Sequence, residues 1–554
     1  MVSRISRTLV LLLSATALVI AVAGCGTSSA SSGNKSNSVI NIVCSPKGSW
    51  TSNFNPFAGG VNCGAQGMIY ETLLFFNRED GSVKPWLASK YSWNSDGTTV
   101  TFNLQQGVKW SDGQAFTSND VVFTLNLLHR YPALDSGALW QAITNVANPD
   151  ANTVTVTFAK PAGPLLWYLA GQTYIVPQHL WSSVDPTTYT NDKPVGTGPF
   201  VLKSFSPQLY VLDKNTSYWQ AGKPAISEIR YPAYTSNTSA DLLLSSGQVD
   251  WTGLFTPNID KTFVQRDSAH NHYWFPPANV VMLYVNTAKA PYNQVAVRQA
   301  LSAAIDRTDI SNTAESTYEP VASPTALVLP ANKQFLSSDY ANTTFGAADP
   351  AKADQLLQSA GFTKGSDGIY ASANGKKLSF QINVVTGWTD WVTACQIMAK
   401  NFQAAGIDAT VNALSFNQYF SALQQGSFDT AISWTNAGPT PYYLYASLLL
   451  GANSAPIGKQ AASNFERWTD PATDTLLNQY ANTTDQATQQ QAIYGIEKIM
   501  VEQMPSIPLV EGATWYEYST THVTGWPDQS NPYAMPSPYT APDNEIVVLN
   551  LKPA

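Results

Sequence analysis

Apolar and polar positions follow two different periods along this chain, so both strands and helices are predicted. Residues 87–104 read as strand, turn and strand: Ser95-Asp96-Gly97 supplies the turn, and Thr98-Thr99-Val100-Thr101-Phe102-Asn103-Leu104 alternates. Asn152 to Phe158 (NTVTVTF) alternates again, behind the turn Asn148-Pro149-Asp150. Helical spacing takes over later. Val297, Ala300, Leu301, Ala304 and Ile305 put one apolar face on a helix over Val295 to Ile305. Ala351 to Ala360 predicts a second helix, ended by Gly361. Phe402 to Gly406 closes a third before the strand Asp408-Ala409-Thr410-Val411, and Gln489 to Met500 predicts a fourth. Alternation of helix and strand in the second half predicts α/β lobes with mixed sheets. No internal repeat is found.

The N-terminus has its own pattern. Arg4 and Arg7 precede an apolar run, Leu9 to Ile20, that is too short to span a bilayer comfortably and fits a cleavable secretory signal. Val22-Ala23-Gly24-Cys25 resembles a bacterial lipobox. That resemblance implies cleavage before Cys25 and a diacylglyceryl thioether on its sulfur; an ordinary signal peptide and an uncleaved anchor are the alternatives. Residues 1–24 are thus expected as leader, and 25–38 as lipidated cysteine and Gly/Ser-rich flexible tether. No later stretch holds 18 uninterrupted apolar residues. The expected product is a soluble body leashed to the outer face of the cell membrane.

Composition narrows the classes. At 554 residues the chain needs two or three domains. Only 12% of residues are charged, about half the usual quarter, while 12% are aromatic. Net charge is −8 and no Lys/Arg cluster follows the first few residues, so a nucleic-acid partner is not expected. Low charge with many rings also excludes a largely disordered chain.

Candidate chemistry is sparse. Cys44 and Cys63 could close a short loop in an exported chain, although sequence leaves their pairing open. Cys395, in a run that reads as helical, is expected as a buried small hydrophobe. His270-Asn271-His272 has no third ligand at suitable spacing, so no metal is expected. Asp213-Lys214-Asn215-Thr216-Ser217 begins like a calcium loop, but Tyr218 and Pro224 stand where its glycine and closing glutamate belong. No nucleophile elbow, zincin helix or phosphate loop is present. No catalytic residue and no cofactor is expected.

Several segments in order then carry a resemblance. They are Asn53-Phe54-Asn55-Pro56-Phe57, Ile69-Tyr70-Glu71-Thr72-Leu73, and Thr101 to Gly113 with Asn119-Asp120-Val121-Val122-Phe123-Thr124. Val195-Gly196-Thr197-Gly198-Pro199-Phe200, Tyr218-Trp219, Ser246-Gly247-Gln248-Val249-Asp250, Val297 to Arg307 and Gly426-Ser427-Phe428-Asp429 follow. This order resembles family 5 extracellular solute-binding proteins, the peptide-binding class of ABC importers. Most of these residues read as structural: Gly196, Gly198 and Pro199 set a tight backbone path, and Asp120 reads as a helix N-cap.

The resemblance implies an α/β fold of periplasmic-binding-protein type II, a three-lobed, cluster C-like two-jaw clamp with an inserted extra lobe. Lobe I is expected at 39–72, 193–282 and 515–554, inserted lobe II at 73–192, and lobe III at 283–514. It further implies a monomer that captures a small-molecule solute by hinge closure and delivers it to ABC permease subunits. In peptide-binding relatives a Trp is followed three residues later by an Asp that pairs with the peptide α-ammonium. Here Ile432-Ser433-Trp434-Thr435-Asn436 leads to Ala437, and no acidic residue lies between Thr430 and Ser447. A charged terminus without a partner would be costly to enclose. Trp388, Trp391, Trp434, Asn436, Tyr442 and Tyr443, with Phe54, Asn55 and Phe255, form the expected ligand-binding set. Rings and amides suit sugar faces and hydroxyls as well as peptides, so peptide and cello-oligosaccharide-like ligands both stay open. An exported hydrolase and a signalling receptor are the remaining alternatives.

Overall fold

The computed structural model describes residues 38–436 and 438–554; the leader, Cys25, the tether up to Asn37 and Ala437 lie outside the described residues. The two alternating runs form neighbouring strands. Thr99–Leu104 and Thr153–Phe158 pair antiparallel, Val100 opposite Val156, in a four-stranded sheet ordered Ala88–Trp93, Thr99–Leu104, Thr153–Phe158, Ile143–Asp150. Val100, Phe102, Val154 and Val156 are buried on one face, while the threonines between them stay half-exposed. The helix Ser118–Arg130 packs beside these strands. Asp120 is not its N-cap: Thr117 is, and Asp120 at the third helical position reaches back to accept the Thr117 N–H at 2.9 Å. The carboxylate also accepts the Gln178 N–H at 3.0 Å, which ties two helices together.

The second-half helices form Val295–Ala304, Pro350–Ser359, Thr389–Ala404 and Gln486–Gln503. Asp349 caps the second of these by accepting the Lys352 N–H at 2.8 Å. Cys395 is buried inside the third. These elements surround a five-stranded mixed sheet ordered Asp408–Leu414, Ser379–Val385, Thr430–Trp434, Pro277–Val285, Ile507–Ala513.

A seven-stranded sheet gathers distant parts of the chain, in the order Asn271–Tyr273, Glu517–Ser519, Trp251–Thr252, Val39–Val43, Glu228–Pro232, Leu209–Lys214, Phe200–Phe205. Two short segments cross between this sheet and the five-stranded one, 274–276 outward and 514–516 back. They bond to each other: the Thr514 N–H donates to the Pro276 carbonyl at 2.7 Å, and the Trp274 N–H to the Tyr516 carbonyl at 3.1 Å. The expected boundary after residue 282 falls inside the strand Pro277–Val285, which pairs with the five-stranded sheet from Pro277 onward.

Cys44 and Cys63 are disulfide-bonded, which answers the question left open by their spacing. The residues 195–200 run against Ile69 so closely that a Cβ on Gly196 would lie 1.8 Å from the Ile69 carbonyl oxygen. Glycine is required there for approach rather than for dihedral freedom.

Candidate ligand-binding cleft

Trp434 ends the strand Thr430–Trp434. The preceding strand residues are buried, and the last side chain emerges half-buried at the sheet's end. Trp388 and Trp391 lie at the start of the helix Thr389–Ala404, so that their rings converge on it. Trp388 and Trp391 are 5.0 Å apart between centroids, Trp388 and Trp434 5.8 Å, Trp391 and Trp434 5.9 Å. Phe420 adds a fourth ring, 5.9 Å from Trp434. Most of these contacts are edge-on, the arrangement that ring quadrupoles favour.

This wall closes one side of a cavity of about 670 Å³. Phe57 to Gly59 contribute from the segment held by the disulfide, and Trp167 and Tyr168 from the helical turn Trp167–Gln172. Trp515, in the crossing segment 514–516, meets Phe255 edge-on at 5.5 Å. Contacts join the walls. Tyr443 stacks edge-on to Trp167 and Tyr168 at 5.8 and 5.4 Å, and its hydroxyl donates to the Pro164 carbonyl at 2.6 Å.

Polar lining is mostly amide and hydroxyl. Arg78 is the one basic side chain among the described lining residues, and Asp543 holds it at 3.4 Å. Three acids line the cavity: Asp135, Glu319 and Asp390. Burial raises Asp135 to about 6 and Asp390 to about 7, and pushes Glu319 well above the usual carboxylate range. Such a cleft suits an extended solute held by ring contact and hydrogen bonds, within the usual size of small-molecule sites, roughly 300–1,000 Å³.

Residues 82–456 match the family model for bacterial extracellular solute-binding proteins, family 5. The chain belongs to that family. It is 27% identical over 449 residues to the nickel-binding periplasmic protein of Escherichia coli, covering 78% of this chain and 81% of that one. With the dipeptide-binding protein of E. coli it shares 26% identity over 512 residues, 85% and 89% of the two chains. Among solved structures, the mannohexaose-bound periplasmic oligopeptide-binding protein from Thermotoga maritima superposes with a TM-score of 0.86 at 24% identity, over 94% of this chain and 99% of that one. The periplasmic-binding fold expected from the motifs is therefore the fold observed. Solute binding, not turnover, is what the family does.

Six of the nine expected family-site residues line the cavity: Phe255, Trp388, Trp391, Trp434, Asn436 and Tyr443. Three do not. Phe54 is fully buried against Tyr210, 5.5 Å away and edge-on, in the core of the seven-stranded sheet. Asn55 spends its amide on the chain itself, donating to the Pro186 and Tyr189 carbonyls at 2.8 Å each. Tyr442 lies stacked on Tyr480 at 4.7 Å, inside the core. Trp167, Tyr168, Phe416, Phe420 and Trp515 were missed. They come from three places, the turn Trp167–Gln172, the helix Phe416–Gln425 and the crossing segment 514–516, with no motif to mark them. Of the missed rings, only Phe57 stood inside a quoted segment.

The histidine pair lies apart from the cavity lining. His270 is exposed and pairs with Asp267 at 2.8 Å. Among the described residues no group of three or more His, Cys, Asp or Glu side chains could hold a metal ion, and no helix is long and apolar enough to cross a membrane.

Proposed function

We propose that this chain is the solute-capturing lipoprotein of an ABC importer, anchored through Cys25 and loading an extended solute of the oligopeptide class. Two jaws close on the solute and present it to permease subunits in the membrane. The jaws are lobe I (39–72, about 193–276 and 515–554) and lobe III (about 277–514), with 73–192 inserted as lobe II. One observation carries this reading: a ring-lined cavity walled by elements of both large sheets, which only two short, mutually bonded segments connect. Rotation about those segments would open the cavity without disturbing either sheet. A solute touching both walls would then favour the shut form, because those contacts exist only there.

A neutral oligosaccharide is the second reading. The four-ring wall around Trp434, the amide-rich lining and Ala437 in place of a carboxylate favour it. The T. maritima relative named above carries mannohexaose. Titration calorimetry separates the two. The protein is titrated with a pool of di- to pentapeptides and, separately, with cello-oligosaccharides. Saturable heat from peptides is expected under the first reading; heat from sugars alone would replace it with the second.

A further inference from the structure

Of the three acids that line the cavity, Glu319 and Asp390 interact with each other, and neither has a role in the solute-binding reading. Glu319 is 1% exposed; its Oε1 accepts the Ala513 N–H at 2.7 Å, and its Oε2 has no hydrogen-bond partner. Asp390 is 5% exposed and accepts the Asn237 amide at 3.0 Å. Both line the cavity. Behind them Glu315 is fully buried with both oxygens unpartnered, within reach of the charges on Glu319 and Asp390. Asp241, which accepts the Thr256 hydroxyl at 2.7 Å, adds a fourth acid near Asp390. Among the described residues no Lys, Arg or His forms an ion pair with any of the four.

Unpartnered carboxyl oxygens occur elsewhere in the core, on Glu466, Glu497 and Glu517, but those side chains do not line the cavity. Glu319 instead keeps a free oxygen on a buried, cavity-lining side chain. Its holder, Ala513, ends a strand paired with Pro277–Val285, and that strand pairs in turn with the one ending in Trp434. Glu319 is thus held at the sheet that carries Trp434, and Asp390 lies next to Trp391 of the ring wall on one helix.

Resting on the solute-binding reading above, we propose that Glu319 and Asp390 recognise a protonated amine of the bound solute. The amine would donate to the free oxygens, and the acids it meets would release to solvent the protons they hold in its absence. It would take over the role for which Ala437 has no carboxylate. A peptide N-terminus and an amino-sugar unit both carry this group.

The test is titration calorimetry on the full protein with two matched pairs: trialanine against N-acetyl-trialanine, and glucosamine tetramer against its N-acetylated form. In at least one pair the free amine is expected to bind on the order of tenfold or more tightly, the weight of a charge-assisted hydrogen bond. Glu319→Gln, which keeps an acceptor for Ala513, and Asp390→Asn, which keeps one for Asn237, should each reduce that preference. Circular dichroism and the melting temperature of each variant show that it is folded. Acetylated forms binding as well as free amines in both pairs, or a preference that survives both substitutions, would overturn the inference and leave the solute-binding reading standing. Silence from all four compounds would remove both.

Discussion

The side-chain amide of Asn237 donates to Asp390 at 3.0 Å, and its main-chain N–H donates to the Gly387 carbonyl at 3.0 Å. Asn237 opens the helix Asn237–Ser245, reached from the seven-stranded sheet; Asp390 lies in the helix that packs on the five-stranded sheet. One residue thus bonds twice across the cleft. Asn237→Ala would leave a buried carboxyl oxygen without its donor, a cost of about 1–3 kcal/mol that falls on the shut form. Solute affinity measured by calorimetry should drop accordingly, and the unliganded protein should scatter X-rays as a larger particle.

Trp434→Ala removes the centre of the ring wall. Solute affinity should fall by about 2 kcal/mol or more, the loss typical of a buried aromatic anchor. Phe54→Ala makes the contrast. It should cost about 3–5 kcal/mol of stability in denaturant titrations, yet leave the affinity of the folded fraction unchanged.

Gly196→Ala would push a methyl group into the Ile69 carbonyl, where a Cβ would sit 1.8 Å away. Backbone cannot swing aside as a side chain can. A loss of about 3 kcal/mol or more is expected, at the upper end of overpacking penalties, read as a lowered denaturation midpoint.

Burial also makes stability depend on pH. It holds Glu466 and Glu517 up at about 8, and Glu497 and Glu511 at about 7, against an ordinary 4.5. The folded chain keeps protons that the unfolded chain releases. Stability from these groups is therefore complete below pH 4.5 and lost as pH rises through 7 and 8. Melting temperature should be lower at pH 8 than at pH 5.5. Glu517→Gln, which can still accept the Thr252 hydroxyl, should shrink that difference.

The sequence made legible whatever is local. Alternation placed the strands Thr99–Leu104 and Thr153–Phe158, and spacing placed the helix Val295–Ala304, because each repeats within one element. Motif order named the family for the same reason. The cleft was legible only in part. Trp388, Trp391 and Trp434 were found because an apparent motif gap at Ala437 drew attention to rings nearby. Trp167 and Trp515, over three hundred residues apart, share the cavity through tertiary folding alone, which no period records. Phe54 and Asn55 misled in the opposite sense: their motif serves packing and chain bracing. Asp120 was placed on the right helix but one turn early, since a reach-back acceptor and a cap look alike in sequence.

The strand Glu517–Ser519 sits between Trp251–Thr252 and Asn271–Tyr273, and Met535, Tyr539 and Thr540 also face the cavity. A polypeptide that emerges N-terminus first therefore has no finished pocket until its last stretch arrives. Half-made molecules cannot sequester cargo, and a protein clipped before residue 507 would lose its grip along with its stability.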